Sequence, residues 1–165
     1  MARSTFLGQN MGANRPERVK RGLRDTLIMT GAFSVIISLI TVFFGEPLMR
    51  MFSTDANVVK MGADYLRVIG SFYILFSVMF TINGLLRGAG DTLVPMFISL
   101  FSLWIIRIPV AWFMSRNPSL GVDGIWWSIP IGWFSGLVLY YAWYRTGRWK
   151  NKAVVKHGQP EKPEE

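Results

Sequence analysis

Four long stretches without a charged side chain dominate this 165-residue sequence: Thr26 to Gly45, Val68 to Leu86, Thr92 to Ile106 (continuing past Arg107 to Ser115), and Gly124 to Tyr144. An α-helix rises about 1.5 Å per residue, so about 20 residues cross a hydrocarbon core about 30 Å thick. Soluble core helices are seldom so long and so unrelieved. The pattern predicts an all-α, polytopic membrane protein with four transmembrane helices, spans A (26–45), B (68–86), C (92–115) and D (124–144). The connecting segments are 1–25, 46–67, 87–91, 116–123 and 145–165.

Those segments differ sharply in charge. Of 18 Lys and Arg, the first, third and fifth segments together hold thirteen, the second and fourth hold four, and Arg107 lies inside span C. Cytoplasmic loops collect Lys and Arg near helix ends, so both termini are expected on the cytoplasmic side. The net charge of +8 sits at helix flanks rather than on a soluble basic face, which points to anionic lipid headgroups as partner and away from nucleic acid. With no cysteine, disulfides, thiolate metal sites and Cys nucleophiles are excluded. The sole histidine, His157, lies in a polar tail unsuited to a metal or a catalytic triad. No nucleophile with a base falls within the spans, so neither an enzyme nor a resident cofactor is expected. The N-terminus lacks a signal-peptide cleavage pattern, because Gly45-Glu46-Pro47 follows an apolar run too long for a signal.

Local signals refine the outline. Residues 1–25 read as a loop and a short amphipathic helix on the inner headgroups, capped by Asn14 before span A begins. After Pro47, one of Ser53, Thr54 or Asp55 caps a second helix that runs through Leu66 into span B. Trp112, Trp126 and Trp127 fall near the outer surface; Tyr140, Tyr141, Trp143, Tyr144 and Trp149 fall near the inner one. Trp104 and Trp133 are left near mid-membrane, where an indole N–H favours a bundle-facing position or an aromatic wall for an organic cation.

Several intramembrane residues are candidates for a substrate pathway. Tyr73, Ser77 and Thr81, spaced i, i+4 and i+8, share one face of span B, with Asn83 nearby; they serve either as interhelical glue or as a polar lining. Gly84 and Gly88, and Ser128, Gly132 and Gly136, form small-residue rows that admit close helix approach. Pro130 interrupts the ladder of span D. Arg107, followed by Pro109, is the one charge inside an apolar run. Its insertion costs at least about 2.5–3.5 kcal/mol, so it requires a partner, a route to the outer headgroups, or a place in a transport pathway.

The block Leu85-Leu86-Arg87-Gly88-Ala89-Gly90-Asp91-Thr92, followed by Pro95-Met96, resembles the inner loop between the tenth and eleventh helices of the multidrug and toxic compound extrusion (MATE) family. Three further blocks agree in order: Gly8-Gln9-Asn10-Met11-Gly12-Ala13 with Arg15-Pro16-Glu17-Arg18, then Arg107-Ile108-Pro109, then Leu120-Gly121-Val122-Asp123-Gly124-Ile125-Trp126. The resemblance implies that spans A to D correspond to the ninth through twelfth helices, part of one six-helix lobe of a two-lobed transporter. Such proteins reside in a bacterial-type cytoplasmic membrane and exchange organic cations or other xenobiotics for Na⁺ or H⁺. The expectation is therefore a C-terminal fragment, inactive alone and partnered by the missing N-terminal lobe. The alternative is a four-helix membrane scaffold or assembly subunit without transport of its own. Arg87 and Asp91 are expected to brace the inner loop. Some family members carry an acid in the tenth helix, but this sequence has apolar Phe76 near that position and no acid between Asp64 and Asp91. It is closer to members whose essential carboxylate lies in the first lobe.

Overall fold

The computed structural model describes residues 16–149, and every regular element among them is helical. Helix α1 spans Pro16–Phe43. Proline suits a first helical position, where its missing N–H would have had no partner. The helix passes through Asp25 and Thr26 without a break, so the basic stretch and span A are one rod and not an amphipathic helix followed by a span. The charged side chains there do not interrupt the backbone ladder. The suggested Asn14 cap lies outside the described residues.

A short α2 (Gly45–Arg50) packs on α3 (Ala56–Ser71). The approach is close, since a Cβ at Gly45 would stand 3.4 Å from the Ala63 carbonyl oxygen. Asp55 caps α3, its Oδ1 accepting from the amides of Asn57 at 2.8 Å and Val58 at 3.3 Å. Helix α4 is Tyr73–Gly88, and the α3–α4 pair bends by 51° at Phe72. Span B is therefore a broken helix. Ser38 of α1 donates to the Gly70 carbonyl at 2.6 Å, and Thr41 Oγ1 occupies the space a Gly70 side chain would need. That carbonyl is thus held by a neighbouring helix next to where the chain turns at Phe72, whose amide reaches the Ile69 carbonyl at 3.1 Å.

The Gly88-Ala89-Gly90-Asp91 sequence has a physical explanation as a helix end. The Asp91 amide reaches the Leu86 carbonyl at 3.0 Å and the Gly90 amide reaches that of Arg87 at 3.0 Å, with Gly90 at φ 92°. This is the paired closure that glycine beyond a helix C-terminus makes. Span C comprises α5 (Leu93–Leu100), a π-helical stretch Phe101–Ile106, and α6 (Arg107–Ser115). The ladder widens, with the Arg107 amide reaching back to Ser102, just ahead of Pro109, whose nitrogen cannot donate to Ile105. Helix α7 (Val122–Thr146) carries Pro130 inside and ends at Gly147, which adopts φ 69°.

Packing inverts the soluble-protein arrangement. Gly124, Ser128, Pro130, Gly132, Gly136 and Tyr140 form the buried side of α7, while Phe33, Phe97 and Phe113 are exposed. Only 6 % of the apolar window in Arg21–Phe43 is buried, as expected of helices that face lipid or further protein. The small residues on α7 permit close contact: a Cβ at Gly136 would lie 2.7 Å from Met79 Sδ, and one at Gly124 would lie 2.6 Å from the Met114 backbone. Gly84 differs from the row expected for it, because nothing stands within 4 Å of its side-chain position. Leu85, Leu86, Ala89, Tyr140 and Trp149 close the end of the core beside the α4–α5 turn.

Two outcomes follow from this packing. Gly124→Ala forces backbone apart where α6 meets α7 and should destabilise the chain in detergent unfolding by about 1–3 kcal/mol, whereas Gly84→Ala should stay within about 0.5 kcal/mol of the parent. Outside the membrane, the Arg50 guanidinium, bonded to Glu46 at 2.8 Å, holds the Glu46 carboxyl below its usual range. Because the folded value is lowered, the pairing supports α2 above the ordinary carboxylate range and is lost as pH falls through the folded value. Carboxyl-resolved NMR titration should show the Glu46 midpoint rise in Arg50→Gln.

Candidate functional site

Helices α1 and α4 leave an open groove of about 550 Å³ between them. Its walls are mostly apolar: Met29, Phe33 and Ile37 from α1 face Tyr73 and Phe76 from α4. Helical spacing explains the set, since residues three and four apart recur on one face. Behind the α4 wall stands Trp133 of α7, its ring 5.0 Å from Phe76 and 6.3 Å from Tyr73, the latter pair stacked at 25°. Phe80 adds a further ring 4.4 Å from Phe76. The result is a layered aromatic wall whose outer surface lines the groove. No Asp or Glu lines it.

Hydroxyl groups in and beside the groove divide into committed and free. Ser34 donates to Gly31 O at 2.8 Å, and Thr30 to Thr26 O at 2.7 Å. Thr81 donates to Ser77 O at 2.8 Å and lies 3.2 Å from Thr30 Oγ1. Each threonine has one proton, so one of them must release its own carbonyl whenever the two hydroxyls bond each other. Tyr73 OH and Ser77 Oγ make no hydrogen bond among the described residues. They are the polar groups available to a guest in an otherwise apolar groove.

The other candidates lie elsewhere. Asn83 follows Thr81 by two residues, a rotation of about 200°, and therefore faces α7 instead of the groove. There its Nδ2 donates to Tyr140 OH at 2.6 Å; Ser99 Oγ lies 2.7 Å from the same oxygen, which donates to the Pro95 carbonyl at 2.8 Å. Tyr140 is 1 % exposed and thus ties α4, α5 and α7 together near the α4–α5 turn. Asp91, also 1 % exposed, accepts from Trp143 Nε1 at 2.8 Å. Arg87 is exposed, and Asp91 ties the turn between α4 and α5 to α7 through the Trp143 indole.

Of the two mid-span tryptophans, Trp133 packs against Phe76 within the described helices, whereas Trp104 is 63 % exposed among them and lies outside the groove. Trp104 follows Ser102 by about half a helical turn, and Ser102 is the residue that the π-helical stretch presents to α7, its hydroxyl bonding the Gly132 carbonyl. Arg107 is half-buried with its stem against α7 at Gly132.

The Tyr140 centre was not legible as such, because an aromatic near a span end resembles a headgroup anchor; an Asn and a Ser at matching depth on neighbouring spans were the available signal. Tyr140→Phe leaves Asn83 without its acceptor in a low-dielectric interior and should lower stability by about 1–3 kcal/mol in detergent unfolding, more than Tyr141→Phe does.

Comparison with known proteins places this architecture. The MatE family model matches residues 1–113. A probable multidrug resistance protein NorM of Thermotoga maritima is 32 % identical over 159 residues, covering 94 % of this chain and 33 % of its own length. Two Bacillus subtilis relatives, the probable multidrug resistance proteins YpnP and YoeA, are 32 % and 26 % identical over 89 % and 94 % of this chain. The chain spans about a third of the length of the relatives it matches. With a family model over most of its length and membrane helices in register with the motif blocks, this all-α membrane protein belongs to the MatE family.

Proposed function

We propose that these helices form part of one lobe of a multidrug efflux transporter and that the α1–α4 groove contacts its substrates. The observation that carries this reading is the pair of uncommitted hydroxyls, Tyr73 OH and Ser77 Oγ, in a groove walled by Phe33 and Phe76. Aromatic faces attract an organic cation through their quadrupoles, and two hydroxyls orient its polar atoms without demanding one shape. That chemistry suits structurally varied xenobiotics. The relatives' names, which describe multidrug resistance, support it.

Transport by alternating access, with two lobes opening in turn, needs more chain than these helices supply. In this reading the remaining lobe comes from protein beyond these 165 residues, and Na⁺ or H⁺ couples through a carboxylate there, since the groove has none. Both termini face the cytoplasm, where the basic flanks meet anionic lipid headgroups. The chain acts in movement of solutes and not in bond chemistry.

Tetraphenylphosphonium binding to the chain in lipid nanodiscs tests the groove. Phe76→Ala should weaken binding about fivefold to tenfold and Ser77→Val about threefold, while Gly84→Ala leaves it unchanged. Equal affinity in all three variants would remove the groove from the substrate path.

A further inference from the structure

Arg107 opens α6 inside span Leu93–Ser115, eight residues from its outer end, or about 12 Å along the axis. Its stem is anchored: Cβ and Cδ lie 3.5 and 3.8 Å from the side-chain position of Gly132 on α7. Its guanidinium forms no hydrogen bond or ion pair among the described residues, and no Asp or Glu occurs within that span or in α7 beyond Asp123 in its first turn. A guanidinium never deprotonates in a protein, so within an apolar span it needs polar partners, and a carboxylate is the one that also cancels its charge.

The surroundings indicate what supplies that oxygen. Trp104, Ile105 and Ile108, adjoining Arg107 on the helix surface, are 63, 61 and 51 % exposed. A water-filled channel would not be lined this way, whereas an apolar helix would cover such a face. The matched relatives are about three times as long as this chain, so further helices exist in proteins of this kind. We infer that Arg107 is a docking point for another transmembrane helix, an apolar one that carries a single carboxylate near the same depth. This rests on the reading of the chain as part of a larger transporter. It assigns Arg107 to lobe assembly and not to the substrate groove.

The pairing joins a planar fork of N–H donors to two carboxylate oxygens, so it is charge-assisted and directional. The test uses the whole chain in phosphatidylcholine vesicles with a Leu/Ala peptide of about 23 residues bearing one Glu about eight residues from its outer end. Energy transfer between the labelled peptide and the chain at neutral pH reports association. The Glu peptide should bind about tenfold tighter than its Gln counterpart; Arg107→Gln should abolish the preference and Arg107→Lys retain part of it. Equal binding of both peptides, or a preference undiminished in Arg107→Gln, overturns the inference. So does dephasing of the Arg107 guanidinium ¹⁵N by lipid ³¹P without any Glu preference, which would make a headgroup phosphate the occupant. Tetraphenylphosphonium binding is read separately, so loss of the groove and loss of the docking point are distinguishable.

Discussion

Hydrocarbon offers a backbone amide or carbonyl nothing to bond with, and the chain is organised around that deficit. Hydroxyl side chains turn back onto their own helices: Thr30 to Thr26, Thr41 to Ile37, Thr81 to Ser77, Ser135 to Ile131. Two of the irregular stretches lie at hydroxyl contacts between helices. At the α3–α4 bend Ser38 holds the Gly70 carbonyl; in span C the ladder widens to π spacing while Ser102 reaches the Gly132 carbonyl.

Lipid is as apolar as leucine, so helices here gain little from hiding large apolar side chains. Close approach over small residues does more, and α7 concentrates it. Its face of Gly124, Ser128, Gly132 and Gly136 meets α6, the π-helical stretch and α4, while its large residues serve at the ends. Tyr140 and Trp143 convert the C-terminal end of that helix into a polar fastening for α4, α5 and the turn between them.

Helix α4 consequently has two characters. Toward α7 it is committed, with Asn83 fully engaged at Tyr140. Toward α1 it presents Tyr73, Phe76 and Ser77 to open space, with hydroxyls unclaimed. One end of α4 is thus fastened by polar contacts while its other face borders an open groove.

Much of this was legible in one dimension. Bilayer thickness and local backbone bonding act along the chain, so apolar run lengths by themselves determined an all-helical membrane protein and the approximate limits of spans C and D. The i, i+4 rule placed Tyr73, Ser77 and Thr81 on one face, and Asp55 was among the residues read as a cap. Side-chain partners were not legible, because they depend on how far each helix is rotated and where it bends. Asn83 found Tyr140 on α7, Trp133 packed against α4 while Trp104 stayed exposed, and Asp91 took the Trp143 indole. Only the tertiary structure decided those pairings. A bend set by a hydroxyl 32 residues away, Ser38 on Gly70, has no signature in the local sequence that it redirects.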